Sequence, residues 1–481
     1  MLGEPEMSAR GLLSLAVVER AAVGLGVCVR PLAFRVYDAD SGETKVVEVA
    51  CGALVAAKCP SCAQAARKMR AAQCREGWHL EAEPEGRPKR RKSAEEEAET
   101  VNRRRVRSTR RRQDTPELPR REKREGTLGQ TYTGRDGRVY RPSMFVTLTL
   151  PSYGRVKDGA PVDPRSYDYT GAARDAMHFG RLVDRFVQNL RRVAGYAAQY
   201  FATVEPQRRL APHLHMAIRG TLPRRELRQI VAATYHQVWW PADTGRVLVG
   251  EHLPVWCEGV GYLDPATGEV LETWEETLDG LDAPRHTLRF GTQMNVRGVL
   301  IGSAEADRRV GYLAKYLTKS MADALVSQWG TLSWAERQHV ARLIETVTYE
   351  PCSAECPNWL RYGIQPKGAR SGLVPGKCTR RAHRPERMGY GGRRALVSRN
   401  WSGRRLTDYA AERRAWVLQA LGEEEAEESG GRHVWEAVKD GDEGLPSRTL
   451  RLWRLVRERQ AAYAEMEKRR RGDAGRRDGE A

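Results

Sequence analysis

The sequence predicts an α+β protein. An antiparallel sheet with helices on one face is preceded by a zinc-ribbon-like module and followed by a Cys/His module with a charged helical tail. Three observations carry this prediction. Between residues 137 and 325 the apolar periodicity reads β-α-β-β-α-(β)-α. Most of the nine cysteines fall into two clusters with metal-ligand spacing. The formal net charge is +19 over 481 residues, which points to a polyanionic partner, most simply nucleic acid.

Residues 1–83 form the first module. A β-rich run from Leu32 to Val49 contains a turn at Asp40, Ser41 and Gly42. Cys59 and Cys62 make a C-x2-C knuckle, which puts two thiolates on one turn around a tetrahedral ion. Cys28 and Cys51 are the preferred partners, because Ala63 to Ala72 reads as a helix that carries the alternative pair, Cys74 and His79, away. A structural Zn²⁺ is expected. Residues 84–127 are a linker too poor in apolar residues to bury a core. Its runs Arg103, Arg104, Arg105 and Arg110, Arg111, Arg112 suit sequence-independent attraction of DNA phosphates.

The central domain covers residues 137–325. Met144 to Leu150 is a β-branched and apolar run ending at Pro151, the mark of a buried strand. Gly171 to about Ala198 has the helical period. Tyr200 to Glu205 and Pro212 to Ile218 read as a strand pair joined by a tight connection. Pro223 to Trp239 reads as a helix, Thr287 to Val296 as a strand, and Ala304 to Met321 as a third helix. The acidic stretch 241–283 is an insert that the pattern does not place. The simplest packing of this order is ferredoxin-like in topology. Residues 345–404 hold Cys352, Cys356, Cys378 and His383, a Cys3His set suited to a second structural zinc. Residues 405–481 read as charged helices, Leu406 to Leu421 and Pro446 to Arg471.

Within that frame, His213 and His215 lie at i and i+2 of a strand and share one face. Two imidazoles and the nearby carboxylate of Glu205 give a mixed ligand set suited to Mg²⁺ or Mn²⁺, with positions open for phosphate and water. On the third helix, Tyr312 and Tyr316 stand one turn apart, and Lys315 and Lys319 repeat that spacing on an adjacent face. A tyrosine hydroxyl can attack a phosphodiester and keep the bond energy in a phosphotyrosine. A divalent ion polarises the phosphate, and lysine adds charge on its oxygens.

These residues resemble a known superfamily. Val204, Glu205 and Pro206, then Ala211, Pro212, His213, Leu214 and His215, resemble the histidine-hydrophobe-histidine motif of the HUH endonucleases. Val310 to Lys319 resembles their tyrosine motif, in the two-tyrosine form of the gene A proteins of small single-stranded DNA phages. Phe145 to Gly154 resembles the first strand motif of rolling-circle initiators. The layout is similar to RepSA-type replication initiators of actinobacterial plasmids and integrative elements, which also carry an N-terminal cysteine cluster and a late run like Cys378 to Gly403. The resemblance implies site-specific nicking of one strand at a double-strand origin, a 5′-phosphotyrosine link, a free 3′-OH that primes synthesis, and later rejoining. Tyr316 is the expected first nucleophile and Tyr312 the second. A host helicase and polymerase are the implied partners, with single-stranded DNA as intermediate.

The competing readings are a non-catalytic zinc-finger DNA-binding regulator, an HUH relaxase or transposase, and a zinc hydrolase. The regulator leaves the tyrosine-lysine helix unexplained. In relaxases the tyrosine usually precedes the histidines, which is the reverse of the order here. The hydrolase would use water and need no tyrosine. No phosphate-binding P-loop is present, so no nucleotide cofactor is expected. Gly11 to Val27 is interrupted by Glu19 and Arg20 and lacks the flanks of a signal peptide, and no long apolar span occurs. A cytoplasmic protein without a membrane partner is expected.

Overall fold

The structure is a computed structural model that describes residues 14–84, 114–137, 139–241, 247–279, 281–315, 317–421 and 433–477. In chain order, the first elements are α1 (Leu15–Gly24), β1 (Leu32–Asp38), β2 (Thr44–Val49) and α2 (Pro60–Trp78). The strands β3 (Tyr132–Thr133), β4 (Val139–Tyr140), β5 (Pro142–Leu148), β6 (Val156–Lys157) and β7 (Ala160–Pro161) lead into α3 (Tyr169–Ala194). Then come β8 (Tyr200–Pro206), β9 (Pro212–Arg219), α4 (Arg224–Ala232), β10 (Tyr235–Val238), β11 (Val255–Cys257), β12 (Gly261–Leu263), β13 (His286–Arg289) and β14 (Met294–Leu300). The last elements are α5 (Ala304–Lys315), α6 (Met321–Trp329), α7 (Trp334–Tyr349), β15 (Ala395–Val397), α8 (Leu406–Leu421), β16 (His433–Val438) and α9 (Arg448–Arg477).

The chain forms two compact units, and the boundary falls inside α2, between Gln73 and Cys74. The first unit comprises residues 1–73, 317–319 and 404–481. Its sheet has the order β16-β1-β2, all antiparallel. The tail expected as a run of charged helices therefore also supplies a strand, and its last helix packs on α1 through the buried Leu452 and Val456. The turn between β1 and β2 is closed by Asp38, which accepts from Ser41 Oγ at 2.8 Å and from the Asp40 N–H at 3.0 Å.

The second unit is built on a five-stranded antiparallel sheet of order β14-β5-β9-β8-β15. One face packs on α3 and α4. Leu214, Met216 and Ile218 of β9 and Met144, Val146 and Leu148 of β5 meet Phe179, Leu182, Phe186 and Leu227 there. Asp168 caps α3 by accepting from Gly171 N–H at 2.7 Å, and Gly195 in the left-handed region ends it. The opposite face is covered as well: Trp78 donates to Ser143 Oγ at 2.7 Å, and Trp401 packs on Phe201 at 6.4 Å. Helices on one face only is therefore an incomplete description. Every residue of β9 is buried, which requires cover on both sides.

Three expected elements differ. The helix read over Pro223 to Trp239 stops at Ala232, where Thr234 Oγ donates back to the Ile230 carbonyl at 2.6 Å. The following Tyr235 to Val238 pairs with β13 as a strand. The helix read over Ala304 to Met321 ends at Lys315, and a new one begins at Met321, capped by Ser320. There Asp323 N–H donates to Ser320 Oγ at 3.0 Å and Ser320 N–H to the Asp323 carboxylate at 3.3 Å. The strand read over Thr287 to Val296 is two strands, β13 and β14. The insert holds the β11–β12 hairpin and contributes Trp274, whose ring lies 5.1 Å from that of Trp359. Among the described residues no helix is long and apolar enough to cross a membrane.

Candidate active site

Strand alternation builds the site. With Leu214 and Met216 committed to the core, His213 and His215 emerge on the other face of β9. Cross-strand register then sets their neighbours. Glu205 of β8 pairs with His213, while Thr203 of β8 and Thr147 of β5 flank His215. The two Nε2 atoms lie 2.7 Å apart, and Glu205 Oε2 is 3.7 Å from His215 Nε2. One ligand atom from each of the three residues falls within 4.8 Å of the others. His215 Nδ1 is 2.9 Å from Thr147 Oγ1, which fixes the ring and leaves Nε2 facing its partners.

Burial sets the protonation. His215 is pushed down to about 2, first by desolvation and then by repulsion from His213, when that ring is protonated, and from Arg309. Desolvation likewise lowers His213 to about 4. Both imidazoles are neutral at physiological pH, the form that binds a metal. Glu205 is lifted to about 7 by burial, against the pull of Arg394 and Lys315. Neither of its oxygens accepts a hydrogen bond among the described residues. A buried carboxylate without donors needs a proton or a cation. The donor set of two neutral imidazoles and one unsatisfied carboxylate fits a divalent ion.

Tyr312 reaches the same place from α5. Its hydroxyl lies 3.0 Å from His215 Nε2. Its ring stands edge-on to Phe145 at 6.2 Å, and Phe145 in turn stacks on His215 at 6.0 Å. Arg309, one turn earlier on α5, holds its guanidinium 4.9 Å over Phe145 and pairs with Glu305 at 2.7 Å. Phe145 is thus the floor on which histidine, tyrosine and arginine are fixed. Lys315 is exposed at the last residue of α5, and Lys319 is half-buried and grouped with the first unit. Tyr316 lies outside the described residues, as do Arg103, Arg104, Arg105, Arg110, Arg111 and Arg112.

The two cysteine sets are also brought together. In the first unit, Cys28, Cys51, Cys59 and Cys62 place their sulfurs within 4.8 Å of one another. The Cys28–Cys59 and Cys51–Cys62 separations are both 3.8 Å. Zn–S bonds of about 2.3 Å in a tetrahedron require roughly 3.8 Å between sulfurs. Cys74 is buried and outside this set, and His79 Nδ1 accepts from the Gly302 N–H at 2.8 Å. In the second unit, Cys352, Cys356, Cys378 and His383 cluster in the same way. His383 Nδ1 is 2.7 Å from the Val347 carbonyl, so Nε2 faces Cys356 Sγ at 3.5 Å.

Sequence reasoning missed Thr147, Phe145, Arg309 and Arg394 as parts of this site. A signal existed for the first two. Thr147 and Thr149 alternate with Val146, Leu148 and Leu150, and a polar alternation marks a second, chemically distinct face, on which Phe145 falls by the same period. Arg309 and Arg394 carry no such mark.

Comparison with known proteins gives two matches. The family model described as RepSA, replication initiator protein, pSAM2, matches residues 14–457. A replication initiator protein of Streptomyces ambofaciens is 28% identical over 249 residues, 42% of this chain and 49% of that relative. The chain thus spans about half the length of that curated relative. No solved structure matches.

Proposed function

The chain belongs to the RepSA family of replication initiator proteins, and on that premise we propose that it starts plasmid replication by a metal-dependent, tyrosine-mediated cut in one DNA strand at the origin. The observation that carries this reading is the 3.0 Å approach of the Tyr312 hydroxyl to His215 Nε2, inside a three-residue metal set. The strand order supports it. In the series β5-α3-β8-β9-α4-β14 the sheet runs fourth, first, third, second, the order of a ferredoxin-like fold, with the histidines on a central strand. This is the arrangement expected of an HUH nuclease domain.

Glu205, His213 and His215 would hold Mg²⁺ or Mn²⁺. When bound, such an ion polarises the scissile phosphate and stabilises the charge that develops on it. The rest is the work of the side chains. His213 and His215 are only 7% exposed, so a phosphate in a regular duplex cannot reach them and a single strand must enter. Tyr312 Oη attacks phosphorus. The bond to the 3′ oxygen breaks, that oxygen leaves as a free 3′-OH carrying the proton that the tyrosine gives up, and the 5′ phosphate stays on the tyrosine. One phosphoester replaces another, so the reverse step rejoins strands. The contact with His215 supports Tyr312 as the attacking group. Tyr316, four residues on in sequence, is the second candidate, and Lys315, at the end of α5, adds charge near the phosphate. The two cysteine sets hold Zn²⁺. DNA, as double-strand origin and single strand, is the substrate, with a host helicase and polymerase acting on the product in the cytoplasm.

The test is incubation of the full chain with a supercoiled plasmid bearing the cognate origin, with and without Mg²⁺ or Mn²⁺. Conversion to a nicked circle with protein attached supports the proposal. Binding without any nick would favour the regulator built on zinc modules.

A further inference from the structure

The histidine face does not end at the metal set. Along the row that holds His215, the cross-strand partners run Thr203, His215, Thr147 and Asn295. The adjacent row runs Phe201, Ala217, Phe145 and Arg297. Directly paired residues share a face, so Asn295 and Arg297 look out on the same side as His215 and Tyr312. Both sit on β14, the edge strand, and both are exposed. Two strand spacings, ~10 Å, separate Asn295 from His215. That is within the span of two nucleotides of an extended strand.

The charge there is unspent. Arg308 and Arg309 of α5 are both paired with Glu305. Arg297 has no ion pair and no side-chain hydrogen bond among the described residues. It lies across the strand from Phe145, over which Arg309 is stacked. An exposed guanidinium beside an amide, at the rim of a recessed site, offers a forked donor to a phosphodiester.

We infer that Asn295 and Arg297 form a phosphate-binding track that guides single-stranded DNA over the β14 edge to the metal set, an inference that rests on the nicking reading above. The track contacts backbone and not bases, so it holds the strand in place without reading sequence. It acts on binding of the substrate and leaves the chemical step alone.

The experiment uses the full chain and a labelled single-stranded oligonucleotide, first without Mg²⁺ or Mn²⁺ and over a range of salt, then in a nicking assay on the same strand with Mn²⁺. One phosphate contact on a single strand contributes about 0.7 to the slope of log K against log salt, or about fivefold in affinity at 0.1 M. Arg297→Gln is expected to lose that slope and that affinity, and to raise KM with kcat unchanged. Arg297→Lys is expected to restore both, because it keeps the charge. If wild type nicks and Arg297→Gln matches it in slope and KM, the track is refuted and the nicking reading stands. If wild type never nicks, the nicking reading fails, and the salt slopes still report whether Arg297 meets a phosphate.

Discussion

The hydroxyl of Tyr312 and Nε2 of His215 stand 3.0 Å apart, one on α5 and the other on the central strand of the sheet. They are 97 residues apart in sequence. Phe145 touches both rings and sets that separation. A tyrosine hydroxyl beside an imidazole nitrogen of a candidate metal set is a demanding arrangement, and its consequences can be measured.

Tyr312→Phe removes only an oxygen from a half-buried ring. The fold and Mn²⁺ affinity should be retained, while nicking should fall by on the order of 10³-fold or more if no other group replaces the nucleophile. Phenylalanine keeps the edge contact with Phe145, so thermal unfolding should be nearly unchanged. Nicking rates beside unfolding curves separate chemistry from stability.

Metal affinity should depend on pH through Glu205. Its carboxyl, lifted to about 7 by burial, must lose its proton to accept a cation. Mn²⁺ binding should therefore strengthen as pH rises toward neutrality and level off above about 7, with proton uptake by the buffer. Glu205→Gln should weaken binding at least ~10-fold and abolish this dependence. Titration calorimetry in buffers of different ionisation enthalpy reads both effects.

Stability of the metal-free protein should follow the imidazoles. Folded His213 titrates near 4 and His215 near 2, against an ordinary value of 6.5. Below 6.5 the unfolded chain takes up protons that the folded chain refuses, so stability falls as pH drops from 6.5 toward 4. His178 and His339, lowered to about 3 and about 4 by burial, act in the same sense. Glu205 acts oppositely: the unfolded carboxyl ionises above 4.5 and the folded one only near 7, so its contribution declines between those values. Glu48, Asp175 and Asp184 are raised by burial as well and act with Glu205. The slope of the urea midpoint between pH 4.5 and 6.5 should therefore be less positive in His213→Ala and more positive in Glu205→Gln than in wild type.

The two cysteine sets make a separate prediction. Each cluster sits among buried apolar residues, Val18, Val27 and Leu452 in one unit and Trp274, Trp359 and Ile364 in the other. Purified protein should carry about two zinc ions per chain. Cys59→Ser should lose one and loosen the first unit, while Cys356→Ser should lose the other and loosen the second. Metal analysis with limited proteolysis distinguishes the two.

Arg219 anchors the face that carries the site. It is fully buried, donates to the carbonyls of Asn400, at 2.8 Å, and Trp401, and lies 5.2 Å from the Trp401 ring. Arg219→Ala leaves those carbonyls unpaired beside a void and should cost roughly 2–4 kcal/mol in chemical denaturation.

Much of this was legible in the chain because the signals are local. His213 and His215 declare a strand face by their spacing, the C-x2-C knuckle declares a turn, and the run from Met144 to Leu150 declares a buried strand. What escaped depends on long-range pairing. Tyr235 to Val238 continues a helical pattern and becomes a strand because β13 is there to pair with it. The third strand of the first sheet comes from residues 433–438, almost 400 positions after its partner β1, and no periodicity announces that. Thr147 becomes a partner of His215 only once register is known. Arg394 reaches the site through its contact with the Val204 carbonyl at 3.1 Å, set by the path of the chain beside β8.

The most direct test is to nick a supercoiled plasmid bearing the origin with Mn²⁺, digest protein and DNA, and identify the DNA-linked peptide by mass spectrometry. A nucleotide bound through the oxygen of Tyr312, lost in Tyr312→Phe and absent from the His213→Ala/His215→Ala double variant, is the predicted result. An adduct on Tyr316 alone would keep the mechanism and overturn the assignment of the attacking group. A metal-dependent nick with no protein-linked DNA would contradict the account and point to water as the nucleophile.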